Sequence, residues 1–152
     1  MTLMAACLTI AAPGCKRTHP RDSPLAELAN AATHDAELSA PHPILHVASF
    51  RDSQRYYRDA LGFQILWEHG DPPDFGAVKR GDGVLFLCQG CVSAPGAWTM
   101  MFTRDVDRLH AELVRRHAII KMPPTNMPWG LREIQVADPD GNVMRFGSAI
   151  DD

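Results

Sequence analysis

From Pro43 onward the apolar and polar positions fall into short blocks, and their period switches between two and three to four. The run "PILHVAS" (43–49) is apolar and β-branched and predicts a strand. The next run, "DSQRYYRDALGF" (52–63), predicts a helix. Asp52 or Ser53 can cap it, Tyr56, Tyr57, Ala60 and Leu61 recur at helical spacing, and Gly62 stops it. Three strands follow, "FQILWEH", "FGAVKRG" and "VLFLCQ", parted by turns at Pro72-Pro73 and Gly81-Asp82-Gly83.

The same order then recurs. "AWTMMFT" predicts a strand, and "RDVDRLHAELVRRH" an amphipathic helix with Val106, Leu109, Leu113 and Val114 on its apolar face. "AIIKM" predicts a strand, followed by a Pro-rich loop. "GLREIQVAD", the turn Asp138-Pro139-Asp140-Gly141-Asn142 and "NVMRFG" complete the half. The unit is strand-helix-strand-strand-strand, and the chain uses it twice. One unit cannot cover its own sheet, whereas two can pack their sheets into a curved cleft. The expected class is α+β, two tandem βαβββ modules forming a curved mixed sheet with a central cleft, over residues 41–150.

Length and composition fit this picture. The chain has 152 residues, 45% of them hydrophobic, which is enough to bury one core. The formal net charge is −3 with no dense basic block, which argues against nucleic acid as the main partner. Cys88 and Cys91 form a single C-Q-G-C. Zinc would need a second ligand pair, and a redox pair would sit at a helix N-terminus rather than at a strand end. The two read as incidental thiols, and a local disulfide would suit an exported protein.

The first forty residues stand apart. "MTLMAACLTIAAPGC" resembles the hydrophobic region and lipobox of a bacterial lipoprotein signal, with Cys15 as the residue to be lipidated. It departs from that pattern in having no basic residue before the apolar run and Ala12 where leucine is usual. The alternative is a mis-assigned N-terminus. Residues 16–40 carry Pro20, Pro24 and mixed charges and read as a linker, within which Leu25 to Leu38 could form a short helix. The protein would be exported and anchored in the envelope under the first reading, and cytoplasmic under the second.

Two such units, with "YYRDALGF" in the first and "PWGLREIQVADPDGNVMRFG" in the second, resemble the vicinal oxygen chelate superfamily over residues 42 to 148. That superfamily includes glyoxalase I, extradiol dioxygenases and the fosfomycin- and bleomycin-resistance proteins. "DFGAVKRGDGVLFL" and "PWGLRE" look most like the bleomycin-resistance branch. The resemblance implies a divalent-metal site in the enzymes, with ligands from the first and last strands of each half. Here those places fall at His42, near Phe86, near Thr99 and at Arg145. Only His42 can ligate, and a guanidinium repels a divalent cation. The expectation is therefore no metal and no cofactor. A one-residue slip in register would bring His46 and Glu133 forward, so His42 and Glu133 are the pair for an alternative, metal-dependent lyase, transferase or dioxygenase. His42 otherwise reads as a surface histidine, and His110 and His117 as solvated residues of a charged helix.

The resemblance also places Trp67, Phe75 and Trp129 in a drug groove, where flat rings stack on a planar ligand. Phe86 and Trp98 join them as candidates, and Arg145 as partner to a ligand anion or to an internal carboxylate. By alternation Arg132 and Glu133 point to opposite faces. The sequence thus points to a small-molecule binding protein that sequesters an aromatic or amphipathic compound. The resemblance implies a homodimer with grooves between subunits. A third reading is an accessory lipoprotein that binds a partner in the envelope.

Overall fold

A computed structural model of the chain describes residues 40–91 and 94–150. The lipobox, Cys15, the linker and the helix expected over Leu25 to Leu38 lie outside the described residues.

The strands are β1 (Ile44–Val47), β2 (Gln64–Gly70), β3 (Pro73–Arg80), β4 (Gly83–Gln89), β5 (Trp98–Phe102), β6 (Ile119–Asn126), β7 (Leu131–Ala137) and β8 (Val143–Ala149). The helices are α1 (Phe50–Asp59), between β1 and β2, and α2 (Val106–Arg115), between β5 and β6. Both modules are βαβββ. Each makes a four-stranded mixed sheet, ordered β1-β4-β3-β2 in the first and β5-β8-β7-β6 in the second. The outer pairs β1/β4 and β5/β8 are parallel and the rest antiparallel. The two sheets share no ladder, so β1 and β5 are both edge strands.

Each helix covers one face of its own sheet. Leu45, Val47, Val78, Leu85 and Leu87 from the first sheet meet Phe50 and Tyr57 of α1. Ile134, Val136, Met144 and Phe146 from the second meet Val106, Leu109 and Leu113 of α2. All belong to one continuous apolar core, so the helix-covered faces of the modules share one interior and their other faces are left uncovered by helix.

Several local expectations shift. Helix α1 begins at Phe50, before Asp52, because Ser49 caps it by accepting from the Asp52 backbone N–H. Phe50 thereby enters the core at the first turn. Helix α2 is capped by Asp105, whose carboxylate accepts from the Arg108 N–H at 2.8 Å. It ends at Arg115, with His117 beyond it in the left-handed region at φ 60°. Val114 is exposed rather than core, one position off the buried stripe. Pro73 opens β3 instead of sitting in a turn, and Pro123 and Pro124 lie inside β6 instead of a loop. β6 is an edge strand with register shifts at Met122, and there a missing N–H costs no ladder bond.

The Asp138–Asn142 turn does more than set the β7–β8 register. Asp138 Oδ1 accepts from the N–H groups of Asp140 and Asn142, closing the turn on itself. Asp138 Oδ2 accepts from the Tyr57 hydroxyl at 3.0 Å. Asp140 accepts from Ser53 Oγ and from the Ala48 N–H, and Asn142 donates to the His46 carbonyl. One turn of the second module thus holds both β1 and α1 of the first.

Cys88 and Cys91 form a disulfide, with Cα atoms 5.7 Å apart. The reading of them as incidental thiols gives way to the local bridge. Strand β4 ends at Gln89, and Gly90 turns the chain back at φ 76° so that the sulfurs meet.

Candidate functional site

In a ladder, residues directly opposite one another share a face. On the uncovered face of the first sheet, Trp67, Ala77 and Phe86 form one row, and Phe75, Cys88 and His46 the next. Trp67, Phe75 and Phe86 pack as a closed triangle of edge-to-face contacts, with centroids 5.3 to 5.7 Å apart. His42 stacks on Phe86 at 5.6 Å and 25°. The triangle buries Trp67 behind its two neighbours, and among the described residues the Trp67 Nε1–H and His46 Nδ1 meet no hydrogen-bond partner. What the wall offers outward is therefore Phe75, Phe86 and the His42 ring. Its backbone is fixed by Gly76, where a Cβ would lie 2.6 Å from the Trp67 carbonyl and 2.7 Å from Phe50 Cζ. Only glycine lets β3 pass between that strand and the core.

The uncovered face of the second sheet is built around a charge pair. Met100, Arg145 and Gln135 lie in one row, and Phe102, Gly147 and Glu133 in the next. Glu133 is only 1% exposed. Its Oε2 accepts from Arg145 Nε at 3.0 Å and from Arg145 Nη2, and its Oε1 accepts from Trp129 Nε1 at 2.6 Å. The Arg145 guanidinium lies 5.5 Å from the centre of the Trp129 ring. Gly147 makes room for this, since a Cβ there would meet Met100 Cε at 2.8 Å and Glu133 Cγ at 3.4 Å.

Trp129 owes its position to a tight turn. The Gly130 N–H donates to the Met127 carbonyl, Pro128 occupies the second position, and Gly130 takes φ 83°. Trp129 is 58% exposed at the turn of the β6–β7 hairpin, with its indole nitrogen held by Glu133 and the Arg145 guanidinium against its ring. Trp98 is 60% exposed on edge strand β5 and shares its face with Met100 and Phe102. Arg132 points to the opposite face from Glu133, as alternation requires, and pairs with Asp107 and Asn126.

The candidate residues thus fall into two groups. Trp67, Phe75 and Phe86, with His42, lie on one sheet, and Trp98, Trp129 and Arg145 on the other. Among the described residues no hydrogen bond or ring contact joins the groups. A separate half-open groove of about 580 Å³ runs between the Gly81–Gly83 turn and β5, lined by Arg80, Met100, Met101 and Phe102. It touches neither the aromatic triangle nor Trp129.

The residues at the places implied for a metal do not fit one. His42 is stacked on a phenyl ring, and Phe86 has no donor atom. Thr99 is in register with core residue Met144 and so faces the core; Trp98 and Met100 face outward in its stead. Arg145 is a cation. Glu133, the other alternative ligand, lies on the sheet opposite to His42 and has both oxygens engaged. Among the described residues, no three His, Cys, Asp or Glu side chains converge.

The sequence left Arg145 to pair with a ligand anion or an internal carboxylate; that carboxylate is Glu133, which sequence reasoning did not name although the signal was there. The five-residue turn pairs Ala137 with Val143, which puts Glu133, Gln135, Arg145 and Gly147 on one face.

Two βαβββ modules, each a mixed four-stranded sheet with one face free of helix, define the class of fold. The family model described as Glyoxalase/Bleomycin resistance protein/Dioxygenase superfamily matches residues 39–146, and the chain belongs to that superfamily. Among solved structures it resembles the bleomycin-binding protein of bleomycin-producing Streptomyces verticillus, complexed with copper(II)-bleomycin. That similarity has TM-score 0.64 and 24% identity over 76% of this chain and 100% of that one. A superfamily member from Sphaerobacter thermophilus DSM 20745 matches at TM-score 0.61 and 25% identity, over 73% and 98% of the chains. A lactoylglutathione lyase from Agrobacterium tumefaciens matches at 0.61 and 17%, over 73% and 94%. No curated protein sequence matches the chain.

Proposed function

We propose that the chain is a small-molecule binding protein that holds an aromatic or amphipathic ligand without a metal and without transforming it. The observation that carries this reading is the Glu133–Arg145 pair. A cation stands where the enzymes of the resemblance supply a ligand, and the nearest carboxylate is spent on neutralising it. The exposed rings of Trp129 and Trp98 and the Phe75–Phe86 wall supply flat apolar surface of the kind that orders cheaply around a planar ligand. The fold shared with a protein that binds bleomycin supports a small-molecule ligand.

The functional unit in this proposal is a homodimer. β5 is an edge strand, paired with β8 alone among the described residues, and its outward face shows Trp98, Met100 and Phe102 to solvent. A second copy would cover that face and bring one chain's aromatic triangle toward the other's Trp129.

The test is a calorimetric titration of the full chain with manganese, nickel, zinc and, anaerobically, iron(II), followed by planar heteroaromatic compounds read through tryptophan fluorescence. The expected result is no stoichiometric metal, and ligand binding that Trp129→Ala weakens by about tenfold or more in a chain that still folds, with a modest drop in melting temperature from the lost bond to Glu133. One tightly held ion per chain would overturn the reading.

A further inference from the structure

Arg145 has more hydrogen-bonding capacity than its partner uses. A guanidinium carries five N–H donors. Glu133 takes the Nε proton and one from Nη2, and no described hydrogen bond takes those on Nη1 or the second on Nη2. The exposure of the pair is lopsided: the Arg145 side chain is 29% exposed and that of Glu133 1%. The countercharge is therefore sealed in the sheet face, and solvent meets the cation.

Trp129 is arranged in the complementary way. Its only donor is already given to Glu133 at 2.6 Å, so the indole presents a ring and no polar handle. The Arg145 guanidinium lies 5.5 Å from the ring centroid, so a cationic ligand on that ring would sit close to a like charge. Met100, in register with Arg145, adds apolar surface on the other side.

We propose that Arg145 and Trp129 together select a planar aromatic acid, its ring against the exposed indole and its carboxylate on the unspent N–H groups of Arg145. This rests on the ligand-binding reading above and narrows it to a charge class. A carboxylate in that position touches the guanidinium directly. Glu133 lies on the far side of the same guanidinium, and because Coulomb energy falls with distance, attraction outweighs repulsion. A charge-assisted bond to Arg145 also fixes the in-plane orientation of the ligand, which stacking alone leaves free. An ammonium in the same place would face Arg145 with no open carboxylate to offset it.

The matched probes are naphthalene-2-carboxylate, naphthalene-2-carboxamide and 2-naphthylmethylammonium, titrated against the full chain by calorimetry at low salt. The expected order is carboxylate, then carboxamide, then ammonium, with about tenfold or more between the first and last, a gap that narrows as salt is added. In the double variant Glu133→Gln, Arg145→Met, which removes both charges together, the carboxylate should fall to the affinity of the carboxamide. Equal binding of all three probes, each abolished by Trp129→Ala, would keep the binding site and overturn the charge preference. A preference for carboxylate that survives the double variant would also overturn it. Failure of all three probes to bind would overturn the ligand-binding reading and this inference with it.

Discussion

The Tyr57 hydroxyl donates to Asp138 Oδ2 at 3.0 Å across 81 residues of sequence, and it does so in the core. Tyr57 is fully buried on α1 of the first module, and Asp138 opens the β7–β8 turn of the second. The bond joins two modules whose sheets share no ladder. The same carboxylate organises its own turn through the N–H groups of Asp140 and Asn142, so local and long-range order meet at one side chain.

Tyr57→Phe should therefore loosen the junction without emptying the core. The ring stays, and Asp138 Oδ2 keeps the Asn142 Nδ2 donor at 2.8 Å, so no acceptor is orphaned. A loss of about 1–2 kcal/mol is expected in urea unfolding, with the m-value unchanged. No loss would mean that the hydroxyl contributes nothing net to the junction.

The junction should also respond to pH. Burial pushes the Asp138 carboxyl above the ordinary aspartate value, against the bonds from Asn142 and Tyr57, which pull it down. The folded state therefore binds a proton more tightly than the unfolded chain. Stability from this group is fully present at low pH and is lost as pH rises from the ordinary aspartate value through the raised one, then levels off. Unfolding curves for wild type and Asp138→Asn over that window should show the fall in the first and not in the second. In Tyr57→Phe, which lacks one of the lowering bonds, the window should extend to higher pH.

The Glu133–Arg145 pair predicts strong non-additivity. Arg145→Met leaves Glu133 buried with only the Trp129 donor and should cost about 3–5 kcal/mol. Adding Glu133→Gln removes the stranded charge while preserving an acceptor for the Trp129 indole, and should restore most of the loss. A double-mutant cycle by chemical denaturation measures the coupling. If the two single losses simply add, the pair is not the unit described.

The elements of the fold were legible because they are written in local periodicity. The apolar run Val84–Cys88 and the turn-bounded segment Leu131–Ala137 marked strands, the Tyr56–Leu61 spacing marked a helix, and the recurrence of one order marked two modules. The errors lay where neighbours override local preference. Pro123 and Pro124 join a strand because that strand is an edge, and the helix starts at Phe50, capped by Ser49, with the Phe50 ring in the core.

The site was half legible. Arg145 stood out in the sequence as a cation where a ligand was expected, and the turn chemistry of Asp138–Asn142 was plain. The rest depended on side chains far apart in sequence. Trp67 carries an indole that reads as ligand surface, yet Phe75 and Phe86 close over it. Thr99 turns into the core because β5 pairs with β8 in that one register. Sequence by itself determined the modules and their turns, since each follows from local sterics and hydrogen bonding. Only the tertiary structure decided that Glu133 neutralises Arg145, that Trp129 remains exposed, and that Asp138 ties the halves together. Those outcomes rest on packing and on distances between charges, which local sequence does not set.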